Sequence, residues 1–366
     1  MQPSIFFVTA FYPEFLKDLY ESEPALADLD YEKQKRRLLD TKFSAIDAYR
    51  TAFEAAGCRV DVAILYADQL LSRWAAETGV TLQGNIHDRR RQYIIECVDR
   101  FRPDILYVFE WTPLGDDFLA EIKKSAALLA GQIASPLRPD RTYAAYDLMI
   151  SSWPPIVDYF RAEGKPSAYV KLAFDERVLD RPTPGPPCHD VTFVGGFAPS
   201  HPNRVRWLER LIRDVDIDVF GYGLDQVPHG SPIRARHRGP AWGYGMYDVL
   251  QCSRLTLNMH AMNDVRGTVV TNVANNMRLF EATGVGTCLL TDAKDNMEEM
   301  FEPDREVLVY RSEAECVEKI RYYLDHESER ASIAKAGQQR TLRDHTYSVR
   351  AGELLEVLRR NLPPSS

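Results

Sequence analysis

Short apolar runs alternate with longer mixed stretches along the whole chain, and this alternation limits the folds that the sequence can adopt. In the first half the apolar runs cover residues 5–8, 60–65, 105–109, 128–134, 148–150 and 169–172. In the second half they cover residues 191–194, 217–220, 255–259, 288–290 and 307–310. Strands that alternate with helices form parallel sheets. The sequence therefore predicts an α/β chain with doubly wound parallel sheets.

A proline-rich segment divides the two series of strands. Residues 181–187 read RPTPGPP, a composition that excludes helix and central strand and favours a stiff extended connector. The chain has 366 residues, which is long enough for two cores. We expect an N-terminal Rossmann-like domain over residues 1–178, a linker over 179–190 and a second Rossmann-like domain over 191–346. Such sheets bind ligands at the carboxyl ends of their strands, so we expect the site in a crevice between two facing domains.

Composition excludes several classes of protein. The formal net charge is −8, whereas nucleic-acid binders neutralise phosphates with an excess of Lys and Arg. No run reaches the ~18 apolar residues that span a bilayer, and no basic segment precedes the first apolar run. The six cysteines are scattered without a CxxC pair, which is typical of reduced thiols and not of a zinc site. We expect a cytoplasmic protein that has no transmembrane segment and does not bind nucleic acid; the sequence leaves its oligomeric state open.

The stretch from residue 272 to 292 carries the most informative motif. It predicts a helix, a glycine stop and a strand, with Arg278 and Glu281 three residues apart on one helix face. A carboxylate has two acceptor oxygens, so Glu281 is a candidate to bind two vicinal ribose hydroxyls. The alternative is an exposed ion pair with Arg278, which stabilises little.

Three asparagines mark the expected start of that helix. Asn272, Asn275 and Asn276 supply neutral donors, and a helix N-terminus favours an anion such as a diphosphate. For Asn275 and Asn276, helix capping is at least as strong an alternative.

A glycine pair follows the strand at 191–194 and leads into a helix near residue 202. Gly195 and Gly196 let the backbone approach a ligand closely. Arg204 lies in the first helical turn, where a cation is unfavourable unless an anion compensates it, and either a phosphate or a carboxylate would do so. His201 is a further candidate to donate to a phosphate, and a solvent-facing position is the alternative. The spacing is not GxGxxG, so a nicotinamide or flavin site is not expected.

Other candidates follow later strands. Asn258 and His260 come at the end of the apolar run 255–259, and Arg266 adds positive charge near them. We regard His260 as a candidate catalytic residue, with a structural or surface role as the alternative. Trp242 and Tyr244 stand in a glycine-rich loop and are candidates to stack on a nucleobase, with packing beneath the loop as the alternative.

The first domain supplies candidates for binding an acceptor. Thr9, Phe11 and Tyr12 follow the first strand, and Glu110 and Trp111 follow the third. Glu110 is the best-placed carboxylate to act as a base toward a bound hydroxyl, with helix capping as the alternative.

Several motifs, in one order, resemble the bacterial glycosyltransferases related to spore-maturation proteins. In the second half they begin at Phe193 (FVGG), His201 (HPNR), Phe220 (FGYG), Gly239 (GPAWG), Leu257 (LNMH), Asn275 (NNMRLFEATG), Ile320 (IRYYL) and His345 (HTY). The first half resembles the family less closely, through motifs at Phe11 (FYPEFL), Arg102 (RPDILY) and Tyr146 (YDLMISS).

The resemblance implies a GT-B fold and a nucleoside-diphosphate sugar donor bound by the C-terminal domain. It also implies transfer to a glycan or lipid-linked acceptor with no cofactor and no essential metal, and a terminal helix at 347–361 that packs on the first domain. Related retaining enzymes carry a second glutamate eight residues before the position of Glu281, but this chain has Val273 there, which leaves the stereochemistry open. A nucleotide-sugar epimerase of the same fold and a non-catalytic nucleotide-binding protein are the alternatives.

Overall fold

The computed structural model of the chain describes residues 2–109, 114–197, 201, 203–261 and 263–364, without the side chains of residues 263 and 264. Contacts divide the chain into two units. Unit 1 comprises Met1–Val170 and Arg350–Ser366, and unit 2 comprises Lys171–Val349. The boundary at residue 170 lies upstream of the proline-rich segment, which belongs to unit 2.

Unit 1 contains one parallel six-stranded sheet in the order β2-β1-β3-β4-β5-β6. Its strands are β1 (Ser4–Ala10), β2 (Arg59–Leu65), β3 (Ile105–Phe109), β4 (Leu128–Gln132), β5 (Leu148–Ser151) and β6 (Ser167–Tyr169). Its helices are α1 (Pro13–Ser22), α2 (Tyr31–Asp40), α3 (Ile46–Ala55), α4 (Asp68–Thr78), α5 (Ile86–Phe101), α6 (Asp116–Ile122) and α7 (Pro154–Ala162). Short 3₁₀ turns cover Pro24–Asp28 and Lys123–Ser125.

Local sequence explains where these elements lie. Strand β1 pairs with β2 and β3 on its two sides and is buried along its whole length, as its apolar sequence requires. Helix α5 begins with a capping box in which Asn85 and Asp88 bind each other's backbone N–H. Aromatic side chains such as Phe7, Tyr107 and Phe109 pack together in the core.

Unit 2 contains a parallel five-stranded sheet in the order β13-β12-β9-β7-β8 and an antiparallel hairpin, β10-β11. The strands are β7 (His189–Val194), β8 (Asp218–Phe220), β9 (Ser253–Asn258), β10 (Asn263–Val265), β11 (Thr268–Val270), β12 (Cys288–Asp292) and β13 (Leu308–Tyr310). The helices are α8 (Arg204–Leu211), α9 (Ile233–Arg236), α10 (Gly243–Gln251), α11 (Arg278–Gly284), α12 (Glu313–Asp325) and α13 (Glu327–Asp344). Three 3₁₀ turns cover Glu176–Asp180, Leu224–Gln226 and Met297–Glu299.

The last helix, α14 (Tyr347–Asn361), crosses the boundary between the units, and its residues from Arg350 onward belong to unit 1. In unit 1, Leu354 and Leu358 of this helix are fully buried, and Arg359 donates to the side chain of Gln2. None of the helices in the described part of the chain combines the length and the apolar composition needed to cross a bilayer.

The predicted α/β architecture with two parallel sheets is confirmed. Two local predictions differ from the structure. The strand expected over 169–172 is β6, Ser167–Tyr169, because its pairing with β5 ends at the Ser151–Tyr169 pair. The hairpin β10-β11 was not predicted.

Candidate functional site

Three strands of unit 2 end side by side at the carboxyl edge of its sheet. Strand β7 ends at Val194, β9 at Asn258 and β12 at Asp292, and β9 pairs with both of the other two. The segments that leave these ends carry most of the candidates for binding a donor. Parallel sheets bind ligands at this edge, because loops and helix N-termini converge there.

Arg204, the first residue of α8, is a buried cation. Its guanidinium donates to the carbonyl of Gly196 and, at 3.4 Å, to that of Met259, so it joins the ends of β7 and β9. Among the described residues, no carboxylate forms an ion pair with it. Burial lowers the pKa of Arg204 to about 10, and the charge of Asp292 partly opposes that shift. The side chain therefore remains charged at neutral pH although no carboxylate of the described residues pairs with it directly.

Arg278 and Glu281 form an ion pair on α11. Arg278 Nη1 lies 2.9 Å from Glu281 Oε2, and each side chain is 12% exposed. Arg278 Nη2 also donates to the carbonyl of Val194 at 3.1 Å. Burial raises the pKa of the Glu281 carboxyl, and the charge of Arg278 opposes that shift. The expected pair therefore exists, but it is buried and not an exposed surface pair.

His260 and Asp292 form a second buried pair at the same edge. His260 Nδ1 lies 2.7 Å from Asp292 Oδ1, and Lys294 Nζ lies 2.8 Å from Asp292 Oδ2. Burial alone would raise the pKa of the Asp292 carboxyl, but hydrogen bonds and charges from His260 and Lys294 hold it well below its usual range. Asp292 is thus an anion with two protein partners.

Four buried nitrogen atoms of this edge have no hydrogen-bond partner within the described part of the chain. They are His201 Nδ1, Arg204 Nε, His260 Nε2 and Arg278 Nε. Burial, with the charge of Arg204 beside it, lowers the pKa of His201 to about 4, so this imidazole is neutral at neutral pH. Buried polar groups are nearly always paired, and a cluster of unpaired ones indicates a ligand.

The lack of a side chain at Gly196, after β7, is explained by packing as well as by the close approach of a ligand. A Cβ atom on Gly196 would lie 2.5 Å from the ring of Tyr222. That ring stacks on Trp242, with the ring centroids 5.0 Å apart and the planes at 28°. The guanidinium of Arg181 lies over the ring of Tyr244, 4.2 Å from its centroid. Trp242 and Tyr244 therefore pack against protein side chains next to the glycine pair.

Gly195 lies against the side chain of Arg204. A Cβ atom at this position would be 3.4 Å from Arg204 Nη1 and 3.1 Å from the ring of Phe193. Gly195 thus leaves space for the buried guanidinium.

The expected helix start at residues 272–276 is wrong, because α11 begins at Arg278. The segment before it is a loop that is held by residues 295–296: Asp295 N–H donates to the Asn272 carbonyl, and Asn296 accepts from Ala274 N–H. Asn276 Oδ1 accepts from Arg278 N–H at 2.8 Å, which is the capping role that we kept as an alternative.

The remaining donor-side candidates differ in their surroundings. Asn258 is buried and donates to the hydroxyl of Thr291 at 2.9 Å. Asn272 is exposed and donates to Asp295, while Asn275 is half-buried. Arg266 lies in the turn of the β10-β11 hairpin with a φ of 50°.

On the acceptor side, two of the candidates are core residues. Thr9 is fully buried, and Phe11 packs on Phe15 and Phe43. Tyr12 is 44% exposed and remains accessible. Glu110 and Trp111 lie outside the described residues.

Asp292 and Lys294 are members of the site that the sequence analysis did not single out. Asp292 lies two residues after the apolar run 288–290, and a carboxylate at a strand end was the available signal. Across the residues that the structure describes, no three His, Cys, Asp or Glu side chains come together in a way that could hold a metal ion.

Part of the chain is similar to a known protein family. Residues 204–356 match the family described as glycosyl transferase-like. No curated protein sequence matches the chain significantly.

Solved structures match over the whole length. A glycosyltransferase from Rickettsia africae is 9% identical, with a TM-score of 0.62 and complete coverage of both chains. Anabaena HepE, solved in complex with UDP-glucose, is 11% identical over 98% of this chain and 100% of its own, with a TM-score of 0.60. Sucrose-phosphate synthase from Thermosynechococcus elongatus is 10% identical over 98% of this chain and 99% of its own, with a TM-score of 0.57. The chain has the GT-B fold, and the predicted fold is confirmed. The match at residues 204–356 is consistent with the resemblance seen in the sequence.

Proposed function

We propose that this chain, which has the GT-B fold and a glycosyl transferase-like region at residues 204–356, transfers a sugar from a nucleoside diphosphate to an acceptor hydroxyl. One observation carries the proposal: the carboxyl edge of the sheet in unit 2 holds a buried arginine, Arg204, without a carboxylate partner in the described chain, among four unpaired nitrogens. A buried charge without a partner is costly, so such a site is built for an anionic ligand.

The diphosphate of the donor is the anion that fits. Arg204 and Arg278 approach the end of β7 from two helices, and both have an Nε–H left to donate. Guanidinium groups bind phosphate oxygens through several directed hydrogen bonds. When the bond from the sugar to the diphosphate breaks, negative charge develops on the leaving oxygen, and these fixed cations stabilise it. We propose that they do so without an essential metal.

Glu281 is our candidate for the ribose. Its ion pair with Arg278 uses Oε2, and a carboxylate accepts several hydrogen bonds. In this arrangement Arg278 lies between the diphosphate and the ribose-binding carboxylate, so one ion pair orients both parts of the nucleotide.

The stacked pair Tyr222 and Trp242 is our candidate platform for the nucleobase. The pair lies beside Gly196, next to the phosphate-binding residues. A further aromatic ring adds to such a stack without disturbing it, because offset-stacked rings attract one another. Tyr244 lies two residues beyond Trp242 and borders the same loop.

The acceptor is the least specified partner. We propose a hydroxyl of a glycan or a lipid-linked saccharide in the cytoplasm, a hexose as the transferred sugar, Tyr12 as a contact and Glu110 as the base. Anabaena HepE was solved with UDP-glucose, which makes UDP-glucose the first donor to test.

The experiment is a transfer assay with UDP-glucose, GDP-mannose, dTDP-glucose, CDP-glucose and ADP-glucose, each with a panel of saccharide and lipid-linked acceptors, in EDTA and in magnesium. We expect acceptor-dependent release of one nucleoside diphosphate in EDTA, and loss of that release in Arg204→Met. Conversion of a donor without an acceptor would identify an epimerase instead. Binding without conversion of any donor would identify a non-catalytic protein.

A further inference from the structure

His260 is held at one ring nitrogen and unpaired at the other. Its Nδ1 lies 2.7 Å from Asp292 Oδ1, and its backbone N–H donates to the same oxygen at 3.0 Å. Its side chain is 2% exposed, and Nε2 has no partner in the described part of the chain. The two contacts with one carboxylate fix both the ring and the strand end that carries it.

The protonation of the fixed nitrogen follows from its partner. Asp292 is an anion, and a carboxylate offers only acceptors, so Nδ1 carries the hydrogen. A neutral imidazole that has its hydrogen on Nδ1 exposes a lone pair at Nε2. In this neutral form the unpaired atom of the buried ring is a hydrogen-bond acceptor.

Charged and polar groups lie close to the fixed side of the ring. Lys294 already balances Asp292 through Oδ2. Arg204, a second cation, donates to the carbonyl of Met259 next to His260. Tyr310, a further titratable group at this edge, donates its hydroxyl to the Asn258 carbonyl.

We propose that His260 Nε2 accepts a hydrogen bond from a hydroxyl of the sugar in the bound donor, and that Asp292 is the positioning residue that makes Nε2 the acceptor. The inference rests on the proposed function. The two arginines at the end of β7 take the diphosphate, and a diphosphate has no hydroxyl to donate to a lone pair at neutral pH. The sugar that is attached to it has several. His260 thus contributes to selection of the sugar, and the arginines contribute to binding of the nucleotide.

Because His260 and the arginines are proposed to bind different parts of the donor, each nucleoside diphosphate can be compared with its nucleotide sugar. The five nucleoside diphosphates UDP, GDP, dTDP, CDP and ADP, and the five nucleotide sugars UDP-glucose, GDP-mannose, dTDP-glucose, CDP-glucose and ADP-glucose, are titrated into the wild-type chain by calorimetry. For the pair that binds, His260→Ala should leave the affinity for the diphosphate within about twofold and weaken the nucleotide sugar on the order of 10-fold, the effect of losing a buried hydrogen bond. Equal loss for both ligands, or no loss for either, would overturn the role of His260.

Asp292→Asn tests whether Asp292 sets the position of the hydrogen on His260 or only supports the fold. An asparagine amide can donate to Nδ1, which moves the hydrogen to Nε2 and removes the acceptor. In ¹⁵N NMR of the unliganded chain, the His260 signal, identified by its absence from His260→Ala, should change from the Nδ1–H to the Nε2–H form. The nucleotide sugar should weaken as in His260→Ala, while Lys294→Met, which keeps the carboxylate, should retain the Nδ1–H form.

An unchanged tautomer together with unchanged affinity in Asp292→Asn would overturn the positioning role while leaving the proposed function intact. Failure of all ten ligands to bind the wild-type chain would instead overturn the proposed function, and this inference with it.

Discussion

Arg204 and Arg278 start two different helices, and both donate to carbonyls at the end of β7: Arg204 to Gly196, and Arg278 to Val194 at 3.1 Å. The charge of Arg278 is among the influences that lower the pKa of Arg204, after burial itself. Two cations that repel each other are thus held against one strand end by backbone carbonyls. Only one of them, Arg278, has a carboxylate partner among the residues that the structure describes. An anion between them would remove this repulsion.

Replacing Arg204 should not destabilise the free protein as the loss of a buried polar residue usually does. Arg204→Met removes a buried charge without a carboxylate partner, so we expect a free energy of unfolding within about 1 kcal/mol of wild type, or higher. Stabilisation by the bound nucleotide should be lost. Arg206→Met changes an exposed arginine on the same helix and should leave both quantities unchanged. Thermal denaturation with and without nucleotide measures them; a large loss of stability in unliganded Arg204→Met would contradict the account.

Glu281→Gln tests recognition of the ribose. Wild type should bind a ribonucleoside diphosphate more tightly than its base-matched 2′-deoxy analogue, and the variant should lose this preference because the charged acceptor is gone. Breaking the buried pair with Arg278 should also destabilise the free protein by about 3 kcal/mol. Calorimetric titration of both ligands provides the comparison, with Glu298→Gln as an exposed control in the same unit. If folded Glu281→Gln still prefers the ribonucleotide, Glu281 does not recognise the ribose and its role is limited to the ion pair with Arg278.

His201 should make unit 2 sensitive to acid. Burial, with Arg204 beside it, lowers its pKa from 6.5 to about 4, so between these values the unfolded chain binds more protons than the folded one. Its contribution to stability is therefore complete above pH 6.5 and is lost as the pH falls through that window. Relative to wild type, His201→Gln should gain stability at pH 4.5 that it lacks at pH 7. Thermal midpoints at both pH values measure this, with the exposed His229→Gln as the control; identical pH dependence in His201→Gln and wild type would contradict it.

Gly196→Ala should disturb the aromatic loop. The new Cβ atom would lie 2.5 Å from the Tyr222 ring, so the ring must move off Trp242. We expect a loss of about 1 to 3 kcal/mol in stability, as for other overpacked sites, and a change in near-ultraviolet circular dichroism. Gly245→Ala, where no atom lies within 4 Å of the new Cβ, should gain about 0.5 to 1 kcal/mol as a helical position. Equal stability of the two variants would argue against tight packing at Gly196.

The sequence predicted the framework of the site because strands and their ends are local features. Apolar runs of strand length located β7, β9 and β12, and the residues that follow a strand end reach the ligand edge of a parallel sheet whatever the strand order. Arg204 was identified because a cation in a first helical turn is unfavourable by itself. The terminal helix was predicted over residues 347–361, and α14 has these bounds.

Contacts between segments that are distant in the chain could not be predicted from the sequence. The pairing of His260 with Asp292 depends on β9 and β12 being neighbours in the sheet, and periodicity does not specify strand order. The loop before α11 is held by Asn296, 22 residues beyond Ala274 in the chain, so local propensity placed the helix start too early. Likewise, the exposure of the pair Arg278 and Glu281 could not be read from their spacing.

The most direct test of the central claim is calorimetric titration of UDP, GDP, dTDP, CDP and ADP into wild type and Arg204→Met in EDTA, repeated in magnesium. The account predicts that at least one diphosphate binds wild type in EDTA, and that Arg204→Met weakens it on the order of 10- to 100-fold, the effect of losing charge-assisted hydrogen bonds. Absence of binding by wild type, or equal affinity in folded Arg204→Met, would contradict the claim that this edge of the sheet binds the donor diphosphate.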